Sequence, residues 1–322
     1  MKIGTSYSTI CEDELLTKLI PQYCIENPRI CRFWQRGVND TYQVYCRDEI
    51  YSLRIYRHNL RTKNEIDFEM AALDYLHKNG ARVAYPIEKR DGGFVSELHA
   101  PEGLRYAVLT THAKGSIPNY DKAENARLFG ESLADLHLLS EGFTTEHTRP
   151  RLEIPFLLNT SVDIIQPFLK KNPTGQEFID NIASDLSHTI NSKNINALDT
   201  GFCHGDCHGS NVHIENNLLT HFDFDCCGFG LRIFELATFK WGTFSDDNGS
   251  ELCSEFLEGY QSKRDISPKD LTLIDSFVVI RHLWWMALIM GNASDFGYSE
   301  ADDEFINRQL RAIKKLLARV TP

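Results

Sequence analysis

Residues 201–230, G-F-C-H-G-D-C-H-G-S-N-V-H-I-E-N-N-L-L-T-H-F-D-F-D-C-C-G-F-G, constrain this chain more than any other stretch. Two short apolar runs, 211–214 and 218–224, flank the turn-forming Glu215, Asn216 and Asn217, a pattern that predicts a β-hairpin. His204, Gly205 and Asp206 stand ahead of the first strand, and Asn211 follows the aspartate by five positions. The second strand ends in Asp223, Phe224 and Asp225. The hairpin thus carries an aspartate and an asparagine at its entry and carboxylates at its exit. Such a set suits a reaction that needs one base and a hard cation. Oxygen ligands bind Mg²⁺, and an acidic side chain can take a proton from an attacking hydroxyl.

With 322 residues the chain can bury a sizeable core and form two domains or lobes. A net charge of -11 argues against a nucleic-acid surface, and it permits a cationic substrate without demanding one. The nine cysteines form an odd set with no framework spacing, so free thiols in a reducing cytoplasm are expected. The first ten residues lack the apolar core of a signal peptide. The apolar run 276–290 contains Arg281 and His282 and is too short to span a bilayer. The expectation is a soluble cytoplasmic protein with no nucleic-acid or membrane partner and an open oligomeric state.

Taken in order, residues 10–25 form an amphipathic helix ended near Pro21. Residues 33–45 read as strand, tight turn and strand, with Gly37, Asn39 and Asp40 in the turn, and 50–56 alternate as a third strand. Thr62 and Glu65 make a capping box for a helix with Ile66, Met70, Leu73 and Leu76 at helical spacing, closed by Gly80. Glu69 lies beside that apolar stripe and can reach Arg54 on the third strand. Further strands are expected at 84–89, 94–98 and 104–110, so that the first lobe is strand-rich with one inserted helix. Residues 111–118 read as a hinge. Beyond it, helices are expected at 123–140, 161–170, 174–191, from 234, and at 246–260, 269–290 and 302–320, with 141–160 as a connection.

An aspartate, an asparagine five positions on and an aspartate one strand–turn–strand later is the arrangement of a kinase catalytic loop with its metal aspartate. On these residues the sequence resembles the aminoglycoside phosphotransferase and choline kinase superfamily, the protein-kinase-like small-molecule kinases. Residues 204–211 are similar to the family's H-G-D-x-H-x-x-N, and residues 221–225 to its D-F-D segment. The similarity takes in G-V-N-D-T-Y at 37–42, L-R-I-Y at 53–56, Glu69, the hinge ending in Gly115, and Leu136 with His137. Its branches with L-R-I-Y and D-F-D include homoserine kinase-like enzymes and bacterial stress-response kinases.

The resemblance implies an α+β, bilobal protein-kinase-like fold. A small five-stranded antiparallel N-terminal lobe (1–112) would bind the nucleotide, and a larger, mainly helical C-terminal lobe (113–322) would carry catalysis and the acceptor. It implies ATP and Mg²⁺ as cofactors and Asp206 as catalytic base. Asn211 and Asp223 would hold the metal, and Asp225 would be either a second metal ligand or a solvated neighbour. Arg54, oriented by Glu69, would bind the phosphates, covered by the turn of Gly37 and Asn39. The backbones of Thr111 and Ala113 would meet the adenine. An arginine in this place can bind phosphate bidentately, unlike the point charge of a lysine. Glu235 stands in E-L-A where the family commonly has D-L-A, and its longer carboxylate could do the same anchoring.

The expected activity is transfer of the γ-phosphate to a hydroxyl of a small molecule such as an aminoglycoside, an amino alcohol or a homoserine-like compound. A protein serine/threonine kinase of the bacterial stress-response type, or a nucleotide-binding pseudokinase, is the alternative. Asp246, Asp247 and Glu251 would favour an amine-bearing acceptor, and Arg281 a carboxylate. Cys203, His204, Cys207, His208, His213, Cys226 and Cys227 also invite a zinc site, but the spacing is not that of a knuckle and zinc leaves the carboxylates idle. Trp284 and Trp285 read as core or pocket wall, with a cation–π box for a quaternary ammonium as the sharper reading.

Overall fold

The structure, a computed structural model, describes residues 3–193 and 195–320. Its contacts divide the chain into two compact units. The first runs to Ser116 and adds Gly142–Arg149 and Val212–Asp225; the second holds Ile117–Glu141, Pro150–Asn211 and the chain from Cys226 onward. A single cut at 112/113 was the sequence expectation, whereas the units exchange segments. The fold is α+β, as expected.

In the first unit the five strands β1 (Ile30–Arg36), β2 (Asp40–Tyr45), β3 (Ile50–Ile55), β4 (Val95–Ala100) and β5 (Gly103–Thr111) form one antiparallel sheet in the order β1-β2-β3-β5-β4. Alternation sends Tyr42, Val44, Leu53, Ile55, Ala107 and Leu109 to one face, against Leu15, Leu19, Ile20 and Tyr23. Leu15, Leu19 and Ile20 belong to a helical stretch that widens at Leu15–Leu19 and tightens to a 3₁₀ turn at Ile20–Gln22, where Pro21 enters, and Tyr23 follows it in extended backbone. Helix α1 (Lys63–Lys78) has the full capping box of Thr62 and Glu65, and buries Ile66, Met70, Leu73 and Leu76. Residues 84–89 are not a strand. They make isolated bridges at Pro86 and Lys89, because a proline without an N–H cannot continue a ladder.

The predicted hairpin is β7 (Val212–Glu215) and β8 (Leu218–His221). Asn216 and Asn217 both take positive φ, 53° and 60°, the backbone that a two-residue hairpin turn requires. The second strand is shorter than expected. It stops at His221, since Asp223 turns left-handed at φ 64° and Phe224–Cys226 winds into a 3₁₀ turn.

The second unit is mainly helical: α2 (Ala123–Leu139), α3 (Pro173–Ser192), α4 (Ile233–Gly242), α5 (Gly249–Gln261), α6 (Pro268–Gly291) and α7 (Asp303–Val320). Helical structure begins at Pro155, inside the expected connection. A small pair unforeseen from sequence, β6 (Thr200–Cys203) with β9 (Gly228–Leu231), brackets the loop that carries Asp206. The apolar run near 276–290 is part of α6, whose 24 residues are long and apolar enough to cross a membrane, yet 78% of its most apolar window is buried inside the protein. It is a core helix, packed on α4 and α7.

Helices α2 and α5 cross at paired glycines. A Cβ on Gly130 would lie 2.0 Å from the Phe256 carbonyl oxygen, and one on Gly259 would lie 2.1 Å from that of Arg127. Backbone cannot swing aside as a side chain does, so Gly130→Ala must separate the helices. We expect it to destabilise the protein by about 1–3 kcal/mol in urea denaturation. An unchanged midpoint would show that the crossing tolerates a methyl group.

Candidate active site

Of the ten residues singled out from sequence, eight lie in the first unit: Gly37, Asn39, Arg54, Glu69, Thr111, Ala113, Asp223 and Asp225; Asp206 and Asn211 lie in the second. Arg54 projects from β3, and its Nη1 donates to Glu69 Oε1 on α1 at 2.6 Å. Its Nη2 donates to Asp223 Oδ1 at 2.8 Å. Glu69 is 1% exposed and its second oxygen accepts from the Tyr56 hydroxyl at 2.8 Å. The guanidinium thus bridges a buried carboxylate and a half-exposed one. Burial alone would lower the Arg54 pKa, but Glu69 and Asp223 together raise it well above the ordinary value.

The Gly37–Asn39 turn is tied down from within. Gly37 N donates to the Asn39 carbonyl at 3.0 Å, and Arg57 Nη2 donates to the Gly37 carbonyl at 3.2 Å. The Asn39 amide accepts from Arg57 N and donates to Asp225 Oδ2, each at 3.1 Å. Asp225 is only 6% exposed, and its Oδ1 accepts from Arg61 Nε at 3.1 Å and sits 3.5 Å from Arg149 Nη2. Both Asp225 oxygens are therefore engaged with protein donors. Tyr56, Arg61 and Arg149 complete this network; sequence reasoning did not single them out as site residues.

Burial pushes the Asp225 carboxyl up, yet Arg61, Arg149 and Arg54 outweigh it and hold it at about 2, below its ordinary 3.8. A carboxyl held low in the folded state contributes stability above its unfolded value and loses it as pH falls toward the folded one. The denaturation free energies of wild type and Asp225→Asn should therefore converge by roughly 2 kcal/mol as pH falls from about 4.5 to about 2. A gap that stays constant over that window would refute the ion-pair account.

At the end of β5, Thr111 N donates to the Tyr85 carbonyl at 2.9 Å, and Thr111 Oγ1 accepts from Tyr85 N at 3.1 Å. The Ala113 carbonyl lies 2.7 Å from His213 Nδ1.

In the second unit the loop after β6 presents Asp206. Gly205 takes φ 84°, and a Cβ there would lie 2.0 Å from the Cys226 carbonyl oxygen, so only glycine fits. Glu235, at the start of α4, accepts from His204 N at 2.6 Å and from Gly205 N at 2.9 Å. The longer carboxylate does anchor the loop. Burial raises its pKa, and His204 together with the two amides offsets part of that rise. His204 is fully buried, its Nδ1 accepting from Asp206 N at 3.3 Å, which makes it scaffolding of the loop.

Asn211 Nδ2 donates to the Asp206 carbonyl at 3.0 Å and lies 3.4 Å from Asp206 Oδ2. Its nitrogen is thereby committed to the protein, which suits its carbonyl oxygen to a cation. Asp206 Oδ1 accepts from Arg281 Nη2. The Arg281 guanidinium stands 4.7 Å from the Trp241 ring centroid and 4.6 Å from that of Trp284, so the cation over this tryptophan pair is the protein's own. Asp246, Asp247 and Glu251 are exposed.

The zinc set is not gathered. Among the described residues, the one group with metal-type donor atoms within 4.8 Å joins Cys203 to His137 and Glu235. There the Glu235 oxygens already hold the loop amides, and His137 Nδ1 meets the Tyr260 hydroxyl at 2.7 Å.

Comparison with known proteins agrees with this architecture. Residues 30–269 match the phosphotransferase enzyme family. An uncharacterized protein of Synechocystis sp. is 32% identical over 96% of this chain and 86% of its own length. The homoserine kinase of Agrobacterium fabrum is 26% identical over 82% of this chain and 80% of its own. Among solved structures, an amicoumacin kinase in complex with AMP-PNP, Ca²⁺ and Ami shares the fold, with a TM-score of 0.76 at 18% identity over 94% of this chain and 93% of that one. The chain belongs to the phosphotransferase enzyme family.

Proposed function

We propose that this phosphotransferase moves the γ-phosphate of ATP to a hydroxyl of a small molecule, with Mg²⁺ as its metal. The observation that carries the reading is the Glu69–Arg54–Asp223 chain: a cation held by one buried carboxylate, reaching a second carboxylate that is half exposed. In the proposed roles Arg54 binds the phosphates and Asp223 and Asn211 hold the metal. Gly37 and Asn39 cover the phosphates, and the backbones of Thr111 and Ala113 meet the adenine. Asp225, with its oxygens taken, anchors the turn. The donor set fits the metal, because carboxylate and amide oxygens are the ligands a hard cation takes. When bound, Mg²⁺ neutralises the phosphate charge.

Asp206 accepts the proton of the acceptor hydroxyl as its oxygen bonds to the γ-phosphorus and the bond to the ADP oxygen breaks. Arg54 stays protonated and stabilises the charge that builds on the phosphoryl oxygens. The relatives include homoserine kinases, which supports a homoserine-like acceptor beside the amino-alcohol and aminoglycoside classes.

The test is ADP release with ATP and a panel of homoserine, 1-amino-2-propanol, an aminoglycoside and a protein substrate, with and without Mg²⁺. Turnover confined to a small hydroxyl compound and abolished by chelation supports the reading. Phosphorylation of protein alone, or nucleotide binding with no transfer to any acceptor, overturns it in favour of a protein kinase or a pseudokinase.

A further inference from the structure

The two oxygens of the Asp206 carboxylate have different surroundings. Oδ1 accepts from Arg281 Nη2, a charge-assisted hydrogen bond. Among the described residues, Oδ2 has only the longer approaches of Asn211 Nδ2 at 3.4 Å and His208 Nε2 at 3.6 Å.

Arg281 comes from the middle of α6, is 2% exposed, and is held between the indoles of Trp241 and Trp284. Trp241 is itself fixed, its Nε1 donating to His282 Nδ1 at 3.1 Å. Among the described residues, Arg281 Nε and Nη1 have no hydrogen-bond partner. Each such unpaired buried donor is unfavourable, and an apolar side chain of similar volume would fill an indole-lined space without that cost. Packing therefore does not explain an arginine here. Its contact with Asp206 does.

We propose that Arg281 is a positioning residue for the proton-accepting aspartate: the Trp241–Arg281–Trp284 stack fixes Oδ1 and so presents Oδ2 as the atom that takes the hydroxyl proton. The inference rests on the phosphotransferase reading above. A carboxylate on a loop can rotate, and a guanidinium clamped between two rings removes that freedom by holding one oxygen in place. The proton passes from the acceptor oxygen to Oδ2 while Arg281 keeps all its own protons, since a guanidinium does not deprotonate in proteins.

The test compares wild type, Arg281→Gln, Asp206→Asn and the double variant of the full chain, using ATP and whichever panel compound supports turnover. Arg281→Gln should lower kcat by about 10–100-fold, the range a misplaced group costs, with both KM values held within about twofold. In the Asp206→Asn background the same substitution should change kcat by less than about twofold, because the group it positions is no longer a base. Millimolar methylguanidinium should restore part of the kcat of Arg281→Ala, a readout that does not depend on Arg281→Gln folding well.

A raised acceptor KM with kcat intact would make Arg281 a substrate ligand and overturn the proposal. So would an equal loss of kcat in both backgrounds, or a drop in melting temperature with kcat per folded molecule unchanged. If wild type turns over none of the panel, the small-molecule kinase reading above falls; if Asp206→Asn keeps wild-type kcat, Asp206 is not the base and the positioning role falls with it; if that variant is inactive and Arg281→Gln is not, only the positioning role falls.

Discussion

Asp206→Asn is expected to lower kcat by about 10²–10⁴-fold, the usual contribution of a positioned general base. Asparagine keeps the shape of the side chain and still offers an oxygen to Arg281 Nη2, so the hydrogen bond there survives. It lacks the charge and the basicity to take a proton from the acceptor. The affinity for ATP should stay near wild type, because Arg54, Glu69 and Asp223 are untouched. The measurement is initial-rate kinetics with ATP and the active acceptor at a temperature where circular dichroism shows both proteins folded. A variant that retains wild-type kcat would remove Asp206 from the chemistry. One that loses ATP affinity instead would make it a nucleotide ligand.

Arg105→Met is expected to destabilise the fold by about 3–5 kcal/mol, the cost of breaking a buried ion pair by removing one partner. Arg105 and Asp40 are both fully buried, with Nη2 3.0 Å from Oδ2. The same guanidinium donates through Nε to the Tyr56 carbonyl and through Nη1 to the Ser8 carbonyl, each at 2.8 Å. It also stands 3.4 Å from Glu102. Methionine fills much of the volume and satisfies none of these acceptors, so among the described residues the buried Asp40 keeps Arg36 as its remaining ion-pair partner. Urea denaturation measures the loss. A shift under about 1 kcal/mol would place this pair with surface ion pairs in its effect.

Arg105 also shows where strand alternation misleads. It shares the buried side of β5 with Ala107 and Leu109, where a pattern of apolar and polar residues would put a hydrophobe. Its acceptors, Ser8, Asp40 and Tyr56, come from distant parts of the chain, and nothing near position 105 announces them. Arg149 is similar. It sits in what reads as a plain connection, yet it donates to the Asp225 carbonyl at 2.7 Å and flanks Glu69. The capping box of α1 was legible because Thr62 and Glu65 are one turn apart and their hydrogen bonds close locally. The Arg54–Glu69 pair was legible because one helix and one alternating strand put both side chains within reach.

The loop and hairpin of residues 201–230 carry both lessons. Sequence alone determined the turn at Asn216 and Asn217, the spacing of Asp206 to Asn211, and the placing of carboxylates after the second strand. Turn chemistry and short-range spacing are written in neighbouring residues. Tertiary structure decided that the second strand stops at His221 with Asp223 in a left-handed backbone, and that Asp225 spends its charge on Arg61 and Arg149. It also decided that Arg281, 75 residues further on, would be the side chain held against Asp206. Such contacts join residues far apart in the chain, and packing of α6 against α4 selects them where local propensity has no preference.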